Sequence, residues 1–114
     1  FVSDDRVWIA GKKISIQDAT MIGIIATMKI KEGTNADFEA VASKLQSAVV
    51  ENEPGVVYYD WYKGQDDTTY VVLERYESQE ALDAHGKTEH MKTIGAEMGE
   101  YMAGRPEVSI LQSI

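Results

Sequence analysis

Both histidines of the chain lie in one short stretch, "EALDAHGKTEH", residues 80–90, at His85 and His90. Imidazoles bind metals, move protons near neutral pH, or serve as satisfied core residues. A metal site is not expected here. On a continuous helix a spacing of five residues turns the side chain by about 140°, so the two rings point apart. Helical metal pairs use spacings of three or four. The chain has no cysteine, which excludes thiolate sites and disulfides, and no third ligand suggests itself. His85 shares a helix face with Ala81 and Leu82 and therefore turns inward. That position suits either a buried histidine held by a backbone carbonyl or a base in a pocket. His90, beside Glu89, is expected to cap or orient a following helix.

A second set of candidates sits in "VVYYDWYKGQDDTTYVVLERY", residues 56–76. Alternation puts Val57, Tyr59 and Trp61 on one strand face, and Tyr70, Val72, Glu74 and Tyr76 on one face of the next. Aromatics in paired strands are ordinarily core or interface; they also build flat walls for a ring-shaped ligand. Glu74 is the more pointed signal. A carboxyl group among Tyr and Val must be paired or protonated. Its expected partner is His85, a tyrosine, or an arginine of a second subunit, because Arg75 faces the other way.

These residues need elements to place them. "TMIGIIATMKI", residues 20–30, reads as a strand with Ile22, Ile24, Ala26, Met28 and Ile30 on one face. Thr34 with Asp37 resembles a capping box, and Phe38, Val41, Ala42, Leu45, Ala48 and Val49 follow at helical spacing. "NEPG" ends that helix. Strands at 56–64 and 68–76 form a hairpin around "GQDD". Ser78 caps a helix that runs to about His85, where Gly86 weakens it. A further helical stretch carries Met91, Ile94, Met98, Tyr101 and Met102, with Gly95 and Gly99 as interruptions. "EVSILQSI" is a last strand. The order is β-α-β-β-α-β, so the predicted fold is α+β and ferredoxin-like over residues 21–114. Residues 1–20 form an arm or hairpin, with strand-like halves at Val7–Ala10 and Ile14–Gln17 around "GKK".

Helices cover one face of such a sheet, and the other should be polar if it meets water. It is not polar: Val71 and Leu73 oppose Tyr70 and Val72, and residues 20–30 are apolar on both faces. At roughly 25 cal/mol per Å² of apolar surface, a wet face of that size would forfeit many kcal/mol. A homodimer is therefore expected; an arm folded over that face is the alternative.

The 114 residues suit one domain, and the net charge of −8 makes nucleic acid and anionic membranes poor partners. The longest uncharged run, Ala19–Met28, falls short of the roughly 18 residues a spanning helix needs. The first residues, "FVSDDR", lack the basic start of a signal peptide. The absence of cysteine fits a cytoplasmic location, which is the expectation.

With that element order, "EPGVVYYDW" and "DDTTYVVLERYESQEALDAHGKTEH" resemble the antibiotic biosynthesis monooxygenase family of dimeric α+β barrels. The resemblance rests on Glu53-Pro54-Gly55, Tyr59, Glu74, Tyr76, Ser78, Glu80, Ala81, His85 and His90, and covers about residues 21–114. It implies a dimeric α+β barrel and a cavity near the first histidine. Members include cofactor-free monooxygenases of quinols and polyketides, haem-degrading enzymes and a sugar-phosphate isomerase. The haem-degrading members carry an Asn, a Trp and a His where Ala26, His85 and Gly95 stand here, so that branch is not expected. There is no flavin, NAD or phosphate-loop motif, and no cofactor is expected.

The resemblance implies a monooxygenase in which a base deprotonates a small aromatic, quinol or polyketide-like substrate, whose anion passes an electron directly to O₂. His85 is the expected base. Tyr59, Trp61 and Tyr76 are expected as wall and donors, with Glu74 orienting the imidazole. Two other classes stay open: an oxygen-independent isomerase using the same His85 on a small carbonyl or sugar-phosphate compound, and a non-catalytic dimeric binding or stress-response module.

Overall fold

The computed structural model describes residues 20–114 in full, and residues 6–9 and 12–15 as backbone. Those two short stretches are strands β1 (Arg6–Ile9) and β2 (Lys12–Ser15), paired antiparallel with Arg6 opposite Ser15. They lie one or two residues before the predicted halves of the arm. What the arm covers lies outside the described residues.

The remaining elements are β3 (Ile22–Lys29), α1 (Asn35–Asn52), β4 (Val56–Lys63), β5 (Thr69–Tyr76), α2 (Gln79–Gly86), α3 (Glu89–Gly99) and β6 (Glu107–Gln112). The last four strands make one antiparallel sheet in the order β4-β5-β3-β6, which is the ferredoxin-like arrangement. Its inner face carries Ile22, Ile24, Ala26, Tyr59, Tyr70, Val72, Glu74 and Tyr76, all buried. Helix α1 seals this face with Phe38, Val41, Ala42, Leu45 and Val49, and α3 adds Ile94 and Met98. The predicted stripe of α1 is thus the stripe that packs.

Three local expectations are corrected. Thr34 does not cap α1 with its side chain; its hydroxyl donates back to Lys31 O at 2.6 Å, so no capping box forms. Val57 does not share a face with Tyr59 and Trp61. A bulge between Val56 and Tyr58 shifts the register, so Val56 opposes Tyr76, Tyr59 opposes Glu74, and Val57 is left 49% exposed. The second helical segment is broken in two, but at Lys87–Thr88. There Thr88 caps α3 by accepting from Met91 N, and α3 then runs through Gly95 to Gly99.

Strand β6 differs from the rest: every residue is exposed, including Val108, Ile110 and Leu111. Register places Val108 and Ile110 on the helix side, beside Ala26 and Ile24, and Leu111 on the opposite side beside Gly23. That opposite face also exposes Ile25, Tyr58 and Tyr62.

Candidate functional site

The site begins where α1 ends. Glu53 is the C-cap residue of α1, in extended backbone, and Pro54-Gly55 carries the chain into β4. Gly55 is required by a close approach: a Cβ there would stand 2.6 Å from Ala81 Cβ. Helix α2 therefore lies directly against this turn. Its N-terminus is fixed by Ser78, whose hydroxyl oxygen accepts from Ala81 N at 3.1 Å. The Glu77 N–H donates to Gly55 O at 2.9 Å, tying the end of β5 to the same turn. With both neighbours of the turn held, the side chain of Glu53 points under α2.

His85 meets it there. Its Nδ1–H donates to Glu53 Oε1 at 2.8 Å, with Oε2 at 3.1 Å. His90 Nε2–H donates to the same Oε2 at 2.5 Å. The two rings, which a continuous helix would splay, converge because the chain breaks between α2 and α3. They converge on a carboxyl group, not on an open point. Among the described residues no group of three His, Asp or Glu side chains has the geometry to hold a metal ion. His90 thus orients α3 through Glu53, while the cap itself is Thr88.

The partner of His85 is Glu53, not Glu74. Glu74 accepts a very short hydrogen bond from the Tyr76 hydroxyl, and its Oε1 stands 4.0 Å from His85 Nε2. Burial raises the Glu74 carboxyl above its ordinary value, and nearby Glu53 adds to that; the Tyr76 hydrogen bond and His85 only partly offset it. Tyr59 and Tyr76 are pushed well above the ordinary phenol range, first by burial and then by Glu74. Both phenols stay protonated and act as donors or walls. Their rings stand 5.7 and 5.3 Å from the His85 ring. As a carboxylate Glu53 only accepts, so in the neutral form of His85 the proton is on Nδ1 and the lone pair on Nε2, on the side of Glu74. A neutral imidazole with a free Nε2 among protonated phenols can act as a base in a largely dry setting.

Sequence reasoning singled out His85, Tyr59, Glu74 and Tyr76, and the structure brings these four together. Trp61 stands apart, beyond Tyr59, whose ring is 6.1 Å from it. Trp61 packs edge-on against Phe38 at 5.6 Å and lines a different groove of about 250 Å³ with Glu39, Gln46, Lys63 and Tyr70. Its buried indole N–H finds no acceptor among the described residues. Glu53 was missed as a site residue. It reads as a helix terminator in "NEPG", and only the approach of α2 gives it its partners.

One cavity touches the cluster at Glu53, and a second lies one strand away from Tyr76, at Ile22; His85 lines neither. The first, of about 330 Å³, has Glu53, Gly55, Val56, Ser78 and Ala84 in its wall and lies on the outer side of the turn. The other, of about 350 Å³, is lined by Thr20, Ile22, Gln79 and Gln112 on the helix side of β3 and β6. Its floor continues in register: Gln112 pairs with Ile22, and Ile22 pairs with Tyr76. The next row is Ile110, Ile24, Glu74 and Tyr59.

This geometry defines a ferredoxin-like α+β domain with a histidine–carboxylate cluster between its helices and its sheet. The chain belongs to the antibiotic biosynthesis monooxygenase family, whose model matches residues 21–97. A crystal structure of a candidate antibiotic biosynthesis monooxygenase from Caulobacter crescentus superposes with a TM-score of 0.81 at 38% identity, covering 87% of this chain and 94% of that one. Rv0793 of Mycobacterium tuberculosis, described as a candidate monooxygenase, is 36% identical over 59 residues; the match spans 52% of this chain and 58% of that protein. A conserved protein from Methanosarcina mazei shares the fold at 22% identity, with a TM-score of 0.77 over 84% of this chain and 95% of its own. Among the described residues no helix is long and apolar enough to cross a membrane.

Proposed function

We propose that the protein is a cofactor-independent monooxygenase of a small aromatic, quinol or polyketide-like substrate, with His85 as its base. The observation that carries this reading is the tautomer lock: Glu53 holds Nδ1, so in the neutral imidazole Nε2 is left as a lone pair on the side of Glu74. His85 is 6% exposed, so a substrate has to enter between the helices and the sheet to reach it. The cavity at Ile22 and Gln112 opens on that side, and the exposed Val108 and Ile110 extend an apolar floor along β6. In this reading Nε2 takes a phenolic proton. The resulting anion passes one electron to O₂, and the two radicals combine at a ring carbon. Loss of water then leaves a new carbonyl: one ring CH₂ and one O₂ become C=O and H₂O. In its protonated form Glu74, held by the Tyr76 hydroxyl that donates to its other oxygen, supplies a hydrogen bond to the developing oxyanion. Tyr59 forms the wall behind the imidazole.

The reading includes a homodimer. Its support is the apolar surface left on both sides of β6 and on the outer sheet face, at Ile25, Tyr58, Tyr62, Val108, Ile110 and Leu111. A second copy seated there would bury this surface and roof the floor of β6.

The test is oxygen consumption by metal-free protein with hydroquinones and anthrone-like phenols, wild type against His85→Ala. Loss of a general base costs about 10²–10⁴ in rate, so uptake in the mutant should fall by at least a hundredfold. Uptake equal in both proteins would remove His85 as base. Anaerobic turnover of a carbonyl substrate would replace the monooxygenase with an isomerase using the same imidazole. Binding without turnover would leave a binding module.

A further inference from the structure

The base is not alone on its carboxyl group. Glu53 contacts His85 through both oxygens and His90 through Oε2. The side chains of His85 and Glu53 are 7% and 8% exposed, and that of His90 is 14% exposed. No second acceptor faces His90 among the hydrogen bonds of the described residues. Titratable groups reach this cluster from four elements: Glu53 at the end of α1, Tyr59 on β4, Glu74 and Tyr76 on β5, and His90 on α3. Of these, Tyr59 and Tyr76 stay neutral, and burial opposes ionisation of Glu74.

One carboxylate therefore faces two imidazoles in a poorly solvated place. With Glu74 protonated, one imidazolium makes the cluster neutral. With two it carries an uncompensated buried charge, which is strongly disfavoured. Protons on the two rings must compete, and the pair titrates as a unit.

We propose that His90 is the proton outlet of the site, coupled to His85 through Glu53. This rests on the reading of His85 as base. At rest the shared proton sits on His90, paired with Glu53, and His85 is neutral. When His85 Nε2 takes the substrate proton, Glu53 pairs with the new imidazolium, and His90 gives up its Nδ1 proton to water. One proton enters the cluster and one leaves, so its charge is unchanged. When the departing oxygen needs a proton, His85 supplies it and His90 takes one back from water. His90 and Glu53 never touch the substrate; they set when His85 is free to accept.

The coupling predicts opposite effects from two substitutions. His90→Gln keeps the size and one polar contact but removes the competing proton. Glu53 then pairs with His85 alone, and the imidazolium of His85 persists to higher pH. Glu53→Gln removes the anion, and the His85 imidazolium is lost at lower pH.

The measurement is ¹⁵N and ¹³C NMR titration of both imidazoles in the wild type, His90→Gln and Glu53→Gln. His90→Asn and Glu53→Ala replace them if either fails to fold. In the wild type each ring should report two steps. In His90→Gln the His85 curve should become a single step, its midpoint raised by about one pH unit. In Glu53→Gln it should fall. The acid limb of oxygen uptake should move by the same amount as the His85 midpoint, and the plateau rate should fall in His90→Gln, which has lost the outlet. An identical His85 curve in wild type and His90→Gln overturns the outlet. So does a single-step wild-type curve. The titration needs no turnover, so the two ideas fail separately. Coupled curves with no uptake on any substrate would sink the monooxygenase and keep the coupling. Uncoupled curves with uptake that collapses in His85→Ala would do the reverse.

Discussion

At the scale of single residues, Glu74 is the group whose protonation stability should feel most. Its carboxyl is 8% exposed and raised above the ordinary value of about 4.5, chiefly by burial. Well below 4.5 it is protonated in both folded and unfolded chains and costs nothing. As pH rises, the unfolded chain ionises first, and folding becomes less favourable until the native value is passed. Glu74→Gln keeps an acceptor for the Tyr76 hydroxyl and removes that penalty. The variant should therefore gain on the wild type in urea denaturation as pH rises from 4 towards 7, when both are compared over that range. A gap that stays constant with pH would mean that Glu74 is not held above its ordinary value. Tyr76→Phe tests the other end of the bond. Leaving the buried carboxyl without its donor should cost about 1–3 kcal/mol. The same variant should lower uptake if a Glu74 held by Tyr76 is what steadies the substrate oxyanion.

At the scale of elements, the site depends on how closely α2 can lie on the turn between α1 and β4. Gly55 permits that approach, and the bulge at Val57 brings Tyr59 into line with Glu74. A methyl group at residue 55 would collide with Ala81, so Gly55→Ala should destabilise by about 1–3 kcal/mol and lengthen the His85–Glu53 contact. Gly55→Ala combined with Ala81→Gly removes the opposing methyl. It should recover the contact, while paying about 1 kcal/mol for glycine inside a helix. Thermal melts and the His85 imidazole resonances report the two effects separately. Recovery of neither would show that the approach is set elsewhere. Removing the cap with Ser78→Ala should cost about 1 kcal/mol and loosen the first turn of α2.

At the scale of the whole molecule, an edge strand with every residue exposed is out of keeping with a core as well sealed as that under α1. Exposed sheet edges invite pairing with another chain. Light scattering should find a dimer in the wild type. Ile25→Asp with Leu111→Asp places charges on the outer sheet face and should shift the protein towards monomer. If that monomer keeps full oxygen uptake, the roof over β6 is not the partner. A wild type that is monomeric at every concentration would remove the dimer from the proposal altogether.

The sequence by itself determined the element order and the stripe of α1, because these follow from local periodicity. With both faces of β3 and β5 largely apolar, it left open which face meets the helices. It also marked His85, Tyr59, Glu74 and Tyr76, because a histidine and a carboxyl on apolar faces are conspicuous. What it did not determine were the pairings. Glu53 reads as the end of a helix, since its partners lie 32 and 37 residues further on and no periodicity links them. The histidines read as diverging, since helix geometry was carried across a break that Thr88 makes. Val57 reads as sharing a face with Tyr59 and Trp61, since alternation does not announce a bulge. In each case the deciding contact is between elements. Only tertiary packing, here α2 seated on Gly55, fixed which carboxyl meets which imidazole.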